Sequence, residues 1–240
     1  GDSFYEYLLK QSILLPQSKK PMRGYYTSVV ESALERVSAV NGGLTFIGES
    51  ARDKARPSTR MEHLACFIPG MLALGHATIE GAASAEHLED ARNVMKTCMV
   101  MYQNTRTGLA AESYDVATAH VRGMRPSRMG KYSLLRPEAV ESAFVMWRLT
   151  KDQQYRDFGW NVFQALEKHS KMPEGGGYSA IEDVMLDVGQ YSVSNRLDRM
   201  DSFLLSETFK YLYLLFCPDS VLPLDKFVFN TEAHPFPVLE

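Results

Sequence analysis

Apolar positions recur at helical spacing over most of the chain. Tyr5, Leu8, Leu9 and Ile13 make a stripe along Asp2–Leu15, with Asp2 or Ser3 as its N-terminal cap. Pro16–Pro21 is a polar break, and Met22–Val40 reads as a second helix stopped by Asn41-Gly42-Gly43. Leu44–Ile47 reads as a short strand before Gly48, and Ala51–Arg60 as a charged loop. Met61–Ala77 is almost wholly apolar, a helix that Pro69-Gly70 should kink. Ser84–Thr105 is a further helix that turns Ala91, Val94, Met95 and Cys98 inward.

Arg106–Tyr132 breaks this rhythm. It carries GLAAES at Gly108–Ser113 and a basic patch of Arg122, Arg125, Arg128 and Lys131. A loop this long inside a compact domain is generally functional or mobile. Helical spacing resumes at Leu134–Thr150, where Pro137 suits a first turn because its missing N–H costs nothing there. Asp152–Lys171 follows, rich in aromatic residues; Glu174–Tyr178 is a Gly-rich turn without phosphate-loop spacing, and Ala180–Val184 can extend. Arg199–Phe216 is a helix with a broad apolar face, ended by Pro218, and Val221–Glu232 reads as a short strand pair around Leu224-Asp225-Lys226. Helix after helix, most with one strongly apolar face, predicts an all-α fold: a ring of helical hairpins whose loops at one end carry the polar chemistry.

With 240 residues the chain can bury a sizeable core. A net charge of −3 gives no basic surface for nucleic acid or anionic lipid, and no apolar run reaches the ~18 residues of a membrane span. The chain begins at Gly1 and enters a helical motif at once, so it is expected to be cut from something longer. Three cysteines, Cys66, Cys98 and Cys217, lack the close spacing of a zinc site. One disulfide with a free thiol and three buried thiols both satisfy that count.

Acidic residues gather at helix starts and inside apolar helices: Asp2, Glu6, Glu62, Glu138, Glu141 and Glu207, with Glu232 near the tail. Glu138 and Glu141 share one face of a first turn, where the helix N-terminus favours ionised carboxylates. Acidic first turns are routine caps, so the pair reads either as capping or as groups that activate water or hold a cation. Unpaired buried carboxylates cost several kcal/mol, and Arg136, His63 and Arg199 are their candidate partners. An oxygen-rich set without a Cys/His cluster would select a hard cation, calcium or magnesium, over zinc. Thr231 by itself reads as a strand residue, and His63 and His234 as hydrogen-bonded structural histidines.

DSFYEYLLK (Asp2–Lys10), HLACFIPGMLALG (His63–Gly75), LRPEAVES (Leu135–Ser142), MDSFLLSETFKYLYLLF (Met200–Phe216) and FNTEAHPF (Phe229–Phe236) occur in one order along the whole chain. This set resembles the class I α-1,2-mannosidases, glycoside hydrolase family 47. The resemblance implies part of an (α/α)7 barrel of helical hairpins with short β-hairpins at the connections and C-terminus. It also implies calcium-dependent, inverting hydrolysis of α-1,2-linked mannose on high-mannose N-glycans of glycoproteins.

Carried over by motif, Glu138 resembles the base that activates water, and Asp2 a second catalytic carboxylate. Thr231 resembles the residue that binds Ca2+ directly. Glu141, Glu207 and Glu232 resemble outer carboxylates around calcium waters and sugar hydroxyls, Phe203 the platform under the sugar ring, and His63 and Arg136 supporting groups of the glycan pocket. Cys66 and Cys98 match the family's disulfide pair, which implies an oxidising compartment, the endoplasmic reticulum or Golgi lumen or a secreted address, with any membrane anchor upstream.

Family catalytic domains are longer, and residues 1–240 resemble the C-terminal portion of one such domain. The family's usual general acid belongs to the N-terminal half, so the isolated chain is expected to be crippled as a catalyst. Glu62 stands where many members have Asp, and Ala139 where many have Thr. A non-catalytic mannose-binding relative, lectin-like and acting in glycoprotein quality control, is the alternative; it could dispense with Glu138.

Overall fold

The computed structural model describes residues 2–15, 19–49, 57–79, 82–116, 124–187 and 194–239, with the side chains of 2, 19, 20 and 82–85 outside that description. Helices α1 (Asp2–Leu14) and α2 (Lys19–Val37) pack as a pair. The helix expected to reach Val40 stops at Val37, because Ser38–Asn41 is β1 and pairs antiparallel with β2, Leu44–Ile47. Asn41-Gly42-Gly43 is thus a hairpin turn and not a helix stop; both glycines take positive φ (58° and 79°), which a glycine tolerates and most residues do not.

The expected kinked helix over Met61–Ala77 is three pieces. Arg60–Glu62 is β3, His63–Phe67 is a 3-10 turn, and α3 spans Ile68–Thr78. Pro69 lies in the first turn of α3, where it displaces no hydrogen bond, so nothing is kinked. Helix α4 (Ala82–Gln103) packs along α3, and Ala91, Val94, Met95 and Cys98 are buried as expected. A Cys66–Cys98 disulfide ties the 3-10 turn to α4, leaving Cys217 free and buried. Within the irregular stretch, β4 (Ser113–Asp115) lies between β3 and β5 (Arg125–Pro126) in a small antiparallel sheet. Arg122 of the basic patch lies outside the described residues.

Helix α5 (Glu138–Thr150) occupies the middle of the core, against α3, the 3-10 turn and the two helices that follow. Its Ala139, Val140, Ala143, Phe144 and Met146 are fully buried. Helix α6 (Gln154–Ala165) runs on into a π-helical turn, Leu166–Ser170. Ala180–Val184 contributes only isolated bridges, from Ile181 to Ser133 and Arg196. The expected helix over Arg199–Phe216 starts late: Leu204–Phe209 is π-helical and α7 covers Lys210–Phe216. Arg199 instead binds Asp201 at 2.9 Å, and among the described residues it partners none of the gathered carboxylates.

The tail holds a strand pair in another place than expected. β6 (Phe227–Phe229) pairs with β7 (Pro235–Pro237), closing around Asn230–His234 and not around Leu224–Lys226. Asn230 decides the turn: its Oδ1 accepts the N–H groups of Glu232 (3.0 Å) and His234 (2.8 Å). Thr231 is therefore a turn residue at the tip of the hairpin, and the strand reading of it fails. Among the described residues no helix is long and apolar enough to cross a membrane.

Candidate active site

The start of α5 is held at three points. Ser142 Oγ accepts the Gly70 N–H (2.9 Å) and donates to the Cys66 carbonyl (2.5 Å), locking α5 to α3 and to the His63 turn. Thr208 Oγ donates to the Leu135 carbonyl at 2.8 Å, and Leu135 takes φ 64°, a left-handed conformation costly for a residue with a branched side chain. Such strain persists where surrounding contacts over-determine the chain, as at ligand sites. Glu112, from the GLAAES segment, accepts Arg136 Nε (2.5 Å) and the Leu134 N–H (3.0 Å) on its two oxygens. Arg136 in turn lies 5.5 Å from the centroid of the Phe203 ring.

One cavity of about 180 Å3 collects the carboxylates. Glu6 reaches it from α1, Glu138 and Glu141 from α5, Glu207 from the π-helix and Thr231 from the tail hairpin, while Leu64, Phe67 and Pro137 supply apolar wall. The π-helical stretch matters here, since an extra residue per turn re-aims its side chains and often marks functional sites. Thr231 is fixed by Tyr7, whose hydroxyl oxygen lies 3.3 Å from both the Thr231 N–H nitrogen and Oγ1. A larger apolar groove, about 400 Å3, lies across Leu64 and Phe67 and holds none of this acidic set.

Burial, with the charge of neighbouring carboxylates, raises the proton affinity of Glu207 and Glu141. Burial, then the charges of Glu138 and Glu232, push the Glu207 carboxyl up to about 7. Burial also raises Glu141, against the opposing pull of Lys10 and helped by Glu6 and Glu138. Lys10 pairs closely with Glu6 and lies 3.7 Å from Glu141 Oε1, while the Tyr211 hydroxyl donates to that same oxygen at 3.2 Å. The set is an anionic cup with a buried ammonium at its base.

Of the residues singled out in the sequence, Glu6, Glu138, Glu141, Glu207 and Thr231 share this cavity. His63 is buried beside it, its Nδ1 3.1 Å from Glu138 Oε2. Arg136 and Phe203 meet each other, joined to the cavity through the Arg136-Pro137-Glu138 run. Glu232 is 71% exposed and lies outside the lining, within 3.8 Å of His234, which is exposed and not a structural core histidine. Asp2 opens α1, and its side chain lies outside the described residues. Sequence reasoning passed over Lys10, Tyr102, Glu112 and Tyr211. Only Glu6–Lys10 carried a signal, the i,i+4 spacing of an acid and a base on one helix face.

The sequence model of glycosyl hydrolase family 47 matches residues 1–238. The chain belongs to this family. It is 42% identical over 274 aligned residues to mannosyl-oligosaccharide 1,2-alpha-mannosidase MNS3 of Arabidopsis thaliana, covering 99% of this chain and 42% of that protein. It is 41% identical to the endoplasmic reticulum mannosyl-oligosaccharide 1,2-alpha-mannosidase of Rattus norvegicus, covering 99% of this chain and 36% of that one. The alpha-1,2-mannosidase from Trichoderma reesei superposes with a TM-score of 0.84 at 27% identity, over 99% of this chain and 51% of that structure. The chain thus spans less than half the length of those two sequence relatives and about half of that structure. Family 47 membership accounts for the helix-rich architecture.

Proposed function

We propose that this chain supplies the base-bearing part of an inverting, calcium-dependent site that removes α-1,2-linked mannose from high-mannose N-glycans in the secretory-pathway lumen. The supporting observation is the convergence of Glu138 and Thr231, remote in sequence, on one cavity with Glu6, Glu141 and Glu207. Glu138 opens α5 and lines the cavity, the position that a base acting on a bound water requires. Glu138 Oε2 is engaged by His63, and among the described residues Oε1 accepts no hydrogen bond, so Oε1 is the atom that takes the proton of the attacking water. Inversion places an acid about 6.5–9.5 Å away across the glycosidic bond. Asp2 is assigned as a second catalytic carboxylate, and the acid that protonates the leaving oxygen is assigned to sequence outside these residues.

Phe203 provides an apolar face for the sugar ring, and Arg136, held by Glu112, keeps a fixed direction for glycan hydroxyls. Glu141, Glu207 and Glu232 are assigned to sugar hydroxyls and to cation-bound waters. The donor chemistry fits calcium. Among the described residues no cluster of three or more His, Cys, Asp or Glu can grip a metal directly. The hydroxyl and carbonyl of Thr231 would hold the ion, with waters fixed by the carboxylates completing an all-oxygen shell. Burial first, and then neighbouring carboxylate charge, raises the proton affinities of Glu141 and Glu207, and a divalent cation would offset the part due to charge. When bound, the ion supplies orientation of sugar hydroxyls and of the attacking water.

The test uses α-1,2-mannobiose, with the chain alone and within the longest natural polypeptide that carries it. The chain alone should bind the disaccharide in calcium and turn it over poorly. The longer polypeptide should release β-mannose first, lose activity in chelator, and lose about 10²–10⁴-fold in kcat with E138Q at little change in affinity. Strong turnover by the chain alone would refute an acid outside it. No disaccharide binding in calcium would refute the site.

A further inference from the structure

Both ring nitrogens of His63 are engaged. Nδ1 lies 3.1 Å from Glu138 Oε2, and Nε2 lies 2.8 Å from the Tyr102 hydroxyl. His63 is 3% exposed and Tyr102 6%, so bulk water does not replace either partner. Tyr102 projects from α4, packed edge-on against Phe158 at 5.0 Å between ring centroids. The Cys66–Cys98 bridge pins α4 to the 3-10 turn that carries His63, which keeps the two rings in register.

Proton counting narrows the arrangement. An Nε2–H imidazole would set the Nδ1 lone pair against a carboxylate oxygen, two acceptors face to face. A doubly protonated imidazole would make the Tyr102 oxygen an acceptor and leave the phenolic proton in the core without a partner. The neutral Nδ1–H form satisfies every atom: Tyr102 O–H donates to Nε2, and Nδ1–H donates to Glu138 Oε2. Burial, together with the Glu138 charge, keeps the Tyr102 phenol protonated and so a donor.

We infer that Tyr102 is a positioning residue: its hydroxyl fixes the tautomer of His63, and His63 thereby holds Glu138 Oε2 while Oε1 faces the cavity. The inference rests on the reading of Glu138 as the base only for its consequence in turnover; the tautomer stands on geometry alone. A carboxylate held by one oxygen keeps its second oxygen directed, which matters because small misplacements of a base lower kcat more than substrate binding.

Nitrogen-15 NMR of histidine-labelled chain at neutral pH reads the tautomer directly. The expected spectrum for His63, assigned by its loss in H63N, has a protonated Nδ1 and a bare Nε2. Two protonated nitrogens, or protonation at Nε2, overturns the inference, and this measurement needs no variant of Tyr102 to fold. Y102F should shift the His63 signals toward exchange between tautomers or a doubly protonated ring; an unchanged His63 spectrum in folded Y102F also overturns it. In the longer natural polypeptide Y102F should lower kcat by up to about 100-fold with KM little changed, the scale of a small misplacement of a reacting group. Normal turnover by E138Q alongside the expected spectrum would sink the base assignment and leave the tautomer intact.

Discussion

Lys10 Nζ lies 3.7 Å from Glu141 Oε1 and also pairs with Glu6, so one ammonium from α1 balances carboxylates of α1 and α5 beneath the cavity. Burial opposes the charge on Lys10, but Glu141 and Glu6 outweigh it and hold the group above the ordinary lysine value. Replacing it strands two carboxylates. K10M should lower the unfolding free energy by about 3–5 kcal/mol in urea titrations, and adding E141Q should recover part of the loss. Equal stability of K10M and the parent would show that the pair contributes nothing.

The acidic cup should make the metal-free protein less stable as pH rises. Glu207 is raised from 4.5 to about 7, and Glu141 is raised as well. A carboxyl whose folded value exceeds its unfolded one favours folding while protonated. Its contribution is complete below about pH 4.5 and disappears as pH climbs through the folded value. Thermal melts in chelator should therefore show a midpoint that falls between pH 5 and pH 8. Calcium should flatten the trend. A midpoint that rises over this range in chelator would contradict the raised proton affinities of Glu207 and Glu141.

Thr231 should carry the calcium response. A ligand bound only to the native state adds about 2.7 kcal/mol at a hundred times its Kd, and a chain of this size gains about 2–4 °C per kcal/mol. Calcium should raise the melting midpoint of the parent by several degrees, and T231V should abolish the rise while leaving the metal-free midpoint close to the parent's. An undiminished calcium shift in T231V would remove Thr231 from the ligand set.

Gly70 sets the approach of α3 to α5. A Cβ there would stand 3.1 Å from Ser142 Cα and 3.1 Å from Ser142 Oγ, and a backbone neighbour cannot swing aside. G70A should cost about 1–3 kcal/mol through overpacking. S142A should cost a similar amount, about 1–3 kcal/mol, because the buried Gly70 N–H loses its acceptor. Because Ser142 lies on α5 just beyond Glu138 and Glu141, both variants should also weaken mannobiose binding in calorimetry. Wild-type stability in G70A would mean the helices separate at little cost.

Much of the helical layout was legible from spacing. Leu9, Ala91, Val94, Met95 and Cys98 are buried where their periodicity puts them, since a stripe of apolar side chains on a helix has one way to leave water. The errors fall at short elements. Ser38–Asn41 continues a helical pattern on paper, yet pairs with Leu44–Ile47 because a partner strand across the Gly42-Gly43 turn outweighs a local preference that spans a single turn. Pro69 proved a helix start and not a kink, a distinction that depends on where the preceding 3-10 turn ends.

For the site, the chain alone announced the participants: carboxylates at Glu138, Glu141 and Glu207, a threonine in an Asn-Thr-Glu tail, and the motif order that marks family 47. These are properties of residue type and local spacing, and they survive any folding detail. Which of them meet is a different matter. Glu232 sits beside Thr231 in sequence but points to solvent, whereas Lys10, Tyr102 and Glu112 enter from distant elements to balance, orient or clamp the rest. Hydrogen bonds of about 3 Å and a Coulombic balance among buried groups depend on separations in space, and a linear order of residues carries no record of those separations until the helices have packed.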